Sequence, residues 1–287
     1  MKDLAIIILN YNSFDDTSRE VNKLLEQNCF EKSIYVVDNN SEDKNKIREF
    51  SLQKEINCII SDRNGGYAHG NNLAIKQAIK DNKKYFLLLN PDIDINLSTI
   101  ETLYNDLKDK PDVGVIGPRI CYRNNQNKIY SDGGLLFPEK GFMGGHVNFN
   151  SDQSDIEMLS YNYQIDYVDG SAIMFRKELI DEVGFMNEKF FMYYEESEWC
   201  LRISRKTKWK LAVNTKVSAF NTYSEKGSFY EYYMTRNRLW LCRLYDGNIR
   251  YVKKERWKLA KNALKNNNFS LAKAYIKGIY NGLYSKL

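Results

Sequence analysis

Leu4-Ala5-Ile6-Ile7-Ile8-Leu9-Asn10-Tyr11-Asn12 opens the chain with six apolar residues that run straight into a polar turn. A continuous apolar run this short, stopped by turn residues, reads as a strand buried on both faces. Outward from it, Asp15 to Gln27 puts Val21, Leu24 and Leu25 on one side of a helix, and Ile34 to Val37 reads as a second strand. A helix near Lys44 to Lys54, a strand at Cys58 to Ser61, a helix at Asn72 to Lys80 and a strand at Tyr85 to Leu89 complete the first hundred residues. Strand and helix alternating four times predict an α/β fold: a parallel sheet with helices on its faces.

Polar residues recur at one place in this pattern, directly after each strand: Asn10-Tyr11-Asn12, Asp38-Asn39-Asn40, Arg63-Asn64-Gly65-Gly66 and Asn90-Pro91-Asp92-Ile93-Asp94. All strand C-termini of a parallel sheet lie on one edge, where doubly wound folds bind ligands, so the four clusters predict a single site. The first strand-to-helix turn lacks the glycines of a dinucleotide fingerprint, Gly65-Gly66-Tyr67-Ala68-His69-Gly70 has the wrong spacing for one, and no P-loop is present. Asp38 can still accept from a ribose hydroxyl or a base N–H, which keeps a mononucleotide open.

Asp92 and Asp94 have two readings. Carboxylates often cap helices, yet Ser98-Thr99-Ile100-Glu101 reads as the next helix's own capping box. Two acids on a bend after a buried strand are also hard oxygen ligands, suited to Mg²⁺ or Mn²⁺ bridging a diphosphate.

The second half changes character. Val113 to Ile116 reads as a strand, and Arg119 to Glu157, with Gly133-Gly134 and Gly144-Gly145, reads as a long glycine-rich lid or disordered loop. Tyr163 to Val168 and Ser171 to Phe175 read as strands joined at Asp169-Gly170, first of all a turn signal. From Phe190 to Arg202 an aromatic run precedes Glu195, Glu196 and Glu198 at the start of a helix. Acids there offset the helix dipole, about 0.3–1 kcal/mol each. A carboxylate against aromatic rings also has its pKa raised toward the working range of a general base. His69 and His146 read as structural or loop residues.

Composition narrows the class. Of 287 residues 43% are hydrophobic and 28% charged, which excludes a disordered or collagenous chain. No apolar run approaches the roughly 18 residues of a membrane span, and the N-terminus is not expected to be a signal peptide. Five scattered cysteines without a C-x-x-C exclude a zinc ribbon, argue against a disulfide framework and predict a reducing cytoplasm. From Asp246 to Leu287 ten Lys and Arg face only Asp246 and Glu255, so the net charge of +5 belongs to the C-terminus. That predicts a local anionic partner for a basic tail and no nucleic-acid groove. Within the tail, Arg250 to Lys261 interleaves basic residues with Tyr251, Val252, Trp257 and Leu259, and Ala272 to Leu283 is apolar at helical spacing. Both an anionic membrane surface and simple packing on the protein's own core suit such helices.

Taken in order, Ile6 to Asn12, Val36 to Ser41, Arg63 to Asn72, Leu88 to Asp92, Val168 to Ser171, Val183 to Phe191, Tyr194 to Arg202 and Arg236-Asn237 resemble the inverting glycosyltransferases of family two, particularly the bacterial branch that includes rhamnosyltransferases. The resemblance implies a GT-A, Rossmann-like, mostly parallel sheet over residues 1–245. Residues 1–110 would form the nucleotide-binding half, 111–245 the acceptor and catalytic half, and 246–287 a basic helical tail. It implies that Asn10, Tyr11, Asn12, Asp38, Asn40, Arg63, Asn64, Gly65, Asn71 and Asn90 serve the nucleotide, and that Asp92, with Asp94 beside it, serves Mg²⁺ or Mn²⁺. Asp169, Gly170, Glu195 and Arg236 would serve the sugars, and Glu196 would be the general base.

Three positions depart from the commonest pattern: Asn90 and Glu196 where relatives carry Asp, and Asn221 where they carry His. The implied reaction moves a sugar from a UDP- or dTDP-linked donor to a saccharide acceptor, commonly lipid-linked, in bacterial surface polysaccharide synthesis. Its setting would be the cytoplasm or the inner face of the membrane. The alternative from another class is a non-catalytic nucleotide- or glycan-binding member of the same fold.

Overall fold

The computed structural model describes residues 1–156, 159–222 and 226–286. Glu157, the last residue of the expected lid, and Leu287, the last of the tail, lie outside the described residues.

The first half alternates as its pattern predicts: β1 (Leu4–Asn10), α1 (Phe14–Glu26), β2 (Ile34–Asp38), α2 (Lys44–Gln53), β3 (Asn57–Ile60), α3 (Gly66–Lys80) and β4 (Tyr85–Leu89). A two-residue strand, β5 (Asp94–Ile95), precedes α4 (Leu97–Asp109). There follow β6 (Val113–Tyr122), β7 (Asn125–Ser131), β8 (Gly134–Phe137), β9 (Met143–His146), β10 (Tyr161–Asn162) and β11 (Ala172–Arg176). The chain ends through α5 (Lys177–Val183), α6 (Glu195–Lys206), β12 (Lys210–Asn221), α7 (Ser228–Tyr245), α8 (Ile249–Lys265) and α9 (Phe269–Tyr284).

Among the described residues one mixed sheet has the order β10-β12-β6-β11-β4-β1-β2-β3. β4, β1, β2 and β3 are parallel, and β6 and β12 pair in parallel further out. β11 lies antiparallel between β4 and β6 and joins the halves. Apolar residues of β1 serve both faces, which is why the run is continuous: Ala5 and Ile7 enter the core with α3, α6 and α7, while Leu4, Ile6 and Ile8 enter the core with α1, α2 and α4. Each fully buried isoleucine here contributes about 1.5–3 kcal/mol.

Four local expectations need correcting. α3 begins at Gly66 and not near Asn72, so the Gly66 to Asn71 block is helical. Gly66 has φ +83°, and a methyl group there would stand 1.9 Å from Phe191 O, so the helix can start at this point only with glycine. Ser98 lies inside α4 and makes no cap; Asn96 is the N-cap, and the Gln27 side chain accepts from Leu97 N at 2.7 Å. Tertiary contact supplies what the capping box was expected to supply.

Residues 119–156 of the expected lid hold strands and are no unstructured loop. Their anchor is buried: the Arg119 guanidinium donates bidentately to Asp132 at 2.7 and 2.8 Å, with Asn148 completing the carboxylate's bonds. A paired, hydrogen-bonded charge can be buried where a lone one cannot. Finally, Asp169-Gly170 does not close a hairpin. β10 pairs with β12, residues 163–168 make only a single bridge to Gly134 through Tyr167, and β11 pairs with β4 and β6.

In the C-terminal segment α8 and α9 lie against α7, with Val252 and Ile279 entering the core beside Leu239 and Trp240. Trp257, Phe269, Tyr280 and Tyr284 are left exposed among the lysines. No described helix is long and apolar enough to cross a membrane.

Candidate active site

The turns after β1 and β2 are built together. Asn10 Nδ2 donates to Asp38 Oδ2 at 2.7 Å and to Ser41 Oγ at 3.1 Å, while Asp38 Oδ1 accepts from Ser41 N at 2.8 Å. Thr17 and Ser13 donate to Asn10 Oδ1, so the buried Asn10 and Asp38 both fix the shape of this edge. Around them Asn12 and Asn40 take left-handed backbone conformations, which asparagine tolerates, and Tyr11 is exposed. The third cluster is tied in by Asn39, whose amide donates to Asn64 Oδ1 at 2.9 Å and to Gly66 O. Arg63 is exposed beside it. Asn71 stands apart: it is fully buried in α3 and donates to Tyr67 O.

After β4, Asn90 N donates to Ser171 O and Asn90 O accepts from Ile93 N, which bends the chain toward Asp92. Burial raises the Asp92 carboxyl above its ordinary range; Asp16 adds to this, and Arg123 and Arg19 oppose it. Arg123 also donates to the Asp92 carbonyl. Asp94, by contrast, is ion-paired with Lys23 of α1. The Asn221 amide donates to Ser171 Oγ at 3.1 Å and its oxygen accepts from Thr222 N. Among the described residues no three His, Cys, Asp or Glu cluster as a metal cage. Mg²⁺-like ions ordinarily use one or two carboxylates and take the rest of their shell from water and substrate phosphates. A partly buried, desolvated Asp92 carboxylate fits that arrangement.

The three acids of α6 differ sharply. Glu198 is committed: it accepts twice from Arg202, at 3.1 and 2.9 Å, and from Tyr245 Oη at 2.7 Å. Glu195 is buried with Oε2 unpartnered, and burial together with Glu196 pushes its carboxyl well up. Glu196 is half-buried and packs against Gly170, with Ser197 Oγ donating to it at 2.9 Å. Burial is the main reason its pKa rises to about 7; Asp169 adds to the rise, and hydrogen bonds oppose it.

The segment leading into α6 is strained. Phe191, Tyr193 and Tyr194 all have φ between +65° and +70°. Non-glycine residues hold such angles at about 1–3 kcal/mol each, and only where surroundings fix them. Asn237 Nδ2 donates to the carbonyls of Phe190, Met192 and Tyr193, Arg236 donates to those of Lys189 and Phe190, and Phe191 O accepts from Tyr67 N. His69 and Asn72 hold Glu188 from the α3 side. Arg236, read in the sequence as a sugar contact, thus sits behind the turn, with its guanidinium over Trp240 and Tyr233.

Asp169 Oδ1 accepts from Ser171 N and Oγ at 2.9 and 2.6 Å, and its other oxygen stands 4.0 Å from His146 Nδ1. Ser41, Asn39, Asn237 and His146 therefore contact the candidate site, although the sequence reading gave none of them a role there and took His146 for a structural or loop residue. The first three sat inside or beside quoted motifs; His146 carried no signal.

Beyond the geometry, the Haloferax volcanii low-salt glycan biosynthesis hexosyltransferase Agl10 is 32% identical over 209 residues, covering 71% of this chain and 62% of that protein. The Shigella flexneri dTDP-rhamnosyl transferase RfbF is 24% identical over 205 residues, covering 70% and 62%. The chain thus spans 62% of the length of these curated relatives. Among solved structures, the Pyrobaculum calidifontis mannosyltransferase PcManGT in complex with GDP-Man and Mn²⁺ superposes with a TM-score of 0.61 at 12% identity, over 99% of this chain and 88% of that one. GalNAc-T7 with UDP, GalNAc and Mn²⁺ gives 0.60 at 13% identity, over 78% and 43%. These likenesses show the GT-A fold. The sequence profile of Glycosyl transferase family 2 matches residues 5–184, and by that match the chain belongs to this family.

Proposed function

We propose that the protein is an inverting glycosyltransferase that moves a sugar from a UDP- or dTDP-linked donor to a saccharide acceptor. The observation that carries this reading is Glu196: a carboxylate whose pKa is raised to about 7, packed on Gly170 beside the sheet edge that carries the Asn10–Asp38 turn and Asp92. We assign the nucleotide to residues 1–110, through the turns of Asn10, Asn12, Asp38, Asn40 and Asn64, and the acceptor to residues 111–245, through Asp169 and Gly170. Glu196 takes the proton of the acceptor hydroxyl while that oxygen attacks the anomeric carbon and the bond to the nucleoside diphosphate breaks. Asp92 would hold Mg²⁺ or Mn²⁺, which supplies positive charge against the leaving diphosphate.

The activities of the relatives support a hexosyl or rhamnosyl donor and a role in glycan synthesis. For the tail we propose reversible contact with an anionic membrane at the cytoplasmic face, where a lipid-linked acceptor would be met; exposed Trp257 and Tyr280 among lysines support it.

The test is release of free nucleotide from UDP- and dTDP-sugars by the purified protein with Mn²⁺. Slow metal-dependent hydrolysis is expected. Nucleotide binding without turnover would leave a non-catalytic member of the family.

A further inference from the structure

β8 and β9 form a two-stranded hairpin outside the main sheet, and its last residue, His146, comes back against Asp169. The surroundings of that imidazole are built. Nδ1 lies 3.0 Å from Ser131 Oγ, and the Ser131 hydroxyl donates to Gly133 O at 3.2 Å. That network assigns the proton to Nδ1, so Nε2 is left as an acceptor. Among the described residues nothing hydrogen-bonds Nε2. Burial holds the pKa of His146 below its ordinary value; Asp169 works the other way and Lys226 adds to the lowering. The ring is therefore neutral at pH 7.

His146 also belongs to an aromatic group. Its ring stacks near Phe149, with centroids 6.2 Å apart and planes at 30°, and packs on Tyr130 at 4.7 Å and Tyr167 at 6.1 Å. Phe149 is 48% exposed, so its ring is open to a ligand. One imidazole acceptor at Nε2, one carboxylate 4.0 Å from the ring's other nitrogen, Nδ1, and one half-exposed phenyl ring make a surface with both chemistries of a sugar. Hydroxyl edges need hydrogen-bond partners, and C–H faces pack on aromatic rings.

We propose that His146 and Phe149 form a saccharide-binding subsite: Nε2 accepts from a sugar hydroxyl, Asp169 accepts from its neighbour, and the Phe149 ring covers a C–H face. Under the functional reading above, on which the sugar's role as acceptor rests, this subsite positions the ring whose hydroxyl Glu196 deprotonates. It makes His146 and Phe149 specificity-determining residues that act on the acceptor and not on the nucleotide.

The experiment reads the two sites separately in the full chain. Saturation-transfer NMR, with irradiation of aromatic protons, follows the methyl glycosides of mannose, glucose, galactose and rhamnose on wild type, His146→Ala, His146→Gln and Phe149→Ala. Thermal shift with UDP or dTDP plus Mn²⁺ follows the nucleotide site in the same samples. At least one glycoside is expected to bind wild type, and to bind His146→Ala and Phe149→Ala at least about fivefold more weakly, the fold-change of one net hydrogen bond or contact. Nucleotide shifts should be the same in all four proteins. His146→Gln, which keeps a hydrogen-bonding side chain, should recover part of the glycoside signal. Glycoside binding that is undisturbed by either alanine, or absent from wild type, overturns the subsite. Loss of the nucleotide response alone overturns the nucleotide assignment and leaves the subsite standing.

Discussion

Gly170 lies directly against Glu196: a methyl group built on the Gly170 Cα would come within 3.3 Å of Glu196 Cγ. Gly170 O in turn accepts from Tyr67 Oη at 2.7 Å, so this backbone cannot simply retreat. Gly170→Ala should therefore displace the Glu196 carboxylate by a few tenths of an ångström and lower turnover by about tenfold or more, with the thermal midpoint nearly unchanged. Full activity in the alanine variant would show that Glu196 tolerates the shift.

Glu196→Gln keeps the shape and removes the base. Turnover should fall by at least about a hundredfold at unchanged donor affinity. Because the Glu196 pKa is raised to about 7, the wild-type rate should climb with pH up to that value and then level off, and the glutamine variant should lose this limb. If Glu195→Gln or Glu198→Gln is the inactive variant with wild-type stability, the base is misassigned within the acidic run.

Asp92 and Asp94 should separate. Asp92→Ala is expected to abolish transfer and the response to added Mn²⁺ without unfolding the protein. Asp94 already faces Lys23, so Asp94→Ala should cause a smaller loss of activity. Chelation of divalent ions should silence wild type and be reversed by Mn²⁺. Equal turnover by Asp92→Ala and wild type at the same metal concentration removes the assignment.

Glu20 of α1 is buried with Oε1 unpartnered, and burial raises its pKa to about 7, against the pull of Lys23. Its folded form holds the proton more tightly than its unfolded form. The stability it contributes is present at acid pH and is lost as pH rises from about 4.5 through 7. Glu20→Gln should raise the thermal midpoint at pH 8, change it little at pH 5, and so flatten the profile between them. A lower midpoint at pH 8 would show the charge to be compensated in the fold.

Truncating the tail is a poor test of membrane contact, because Val252 and Ile279 are part of the core. Reversing exposed charges keeps that packing. A Lys253→Glu, Lys254→Glu, Lys258→Glu variant should lose co-sedimentation with vesicles containing anionic lipid at low salt, where wild type is retained, since each basic residue near such a surface contributes about 1 kcal/mol. Equal behaviour of the two proteins leaves the tail as packing alone.

How much was legible depended on the range of the interactions. β1, β2, β4 and the start of α6 were readable because continuous apolar runs and a local acidic turn specify them nearly alone. The turns of Asn10, Asp38 and Asp92 could be grouped because strand ends in such a sheet share one edge, whereas Glu196 stood out only within an acidic run at a helix start. What failed was set by distant partners. The start of α3 depends on Phe191 lying against Gly66, the cap of α4 on Gln27, and the order of the 119–156 region on Arg119 meeting Asp132. Arg236 and Asn237 were visible as a pair, but their work on the strained turn at Phe191 to Tyr194 shows only when α7 is folded back on it.

The antiparallel strand β11 also sets a timetable. In the finished sheet β4 has β1 on one side and β11 on the other, yet β11 lies some 85 residues later in the chain. At roughly 5–20 residues per second of synthesis, β4 leaves the ribosome about 4–17 s before its second neighbour exists. For that interval the nascent chain carries an apolar strand, Tyr85–Leu89, with one edge unpaired and open to a neighbouring chain on the same message. Fragments ending near residue 110 should collect as aggregates, and slowing translation between residues 90 and 172 should reduce the soluble yield of the whole protein.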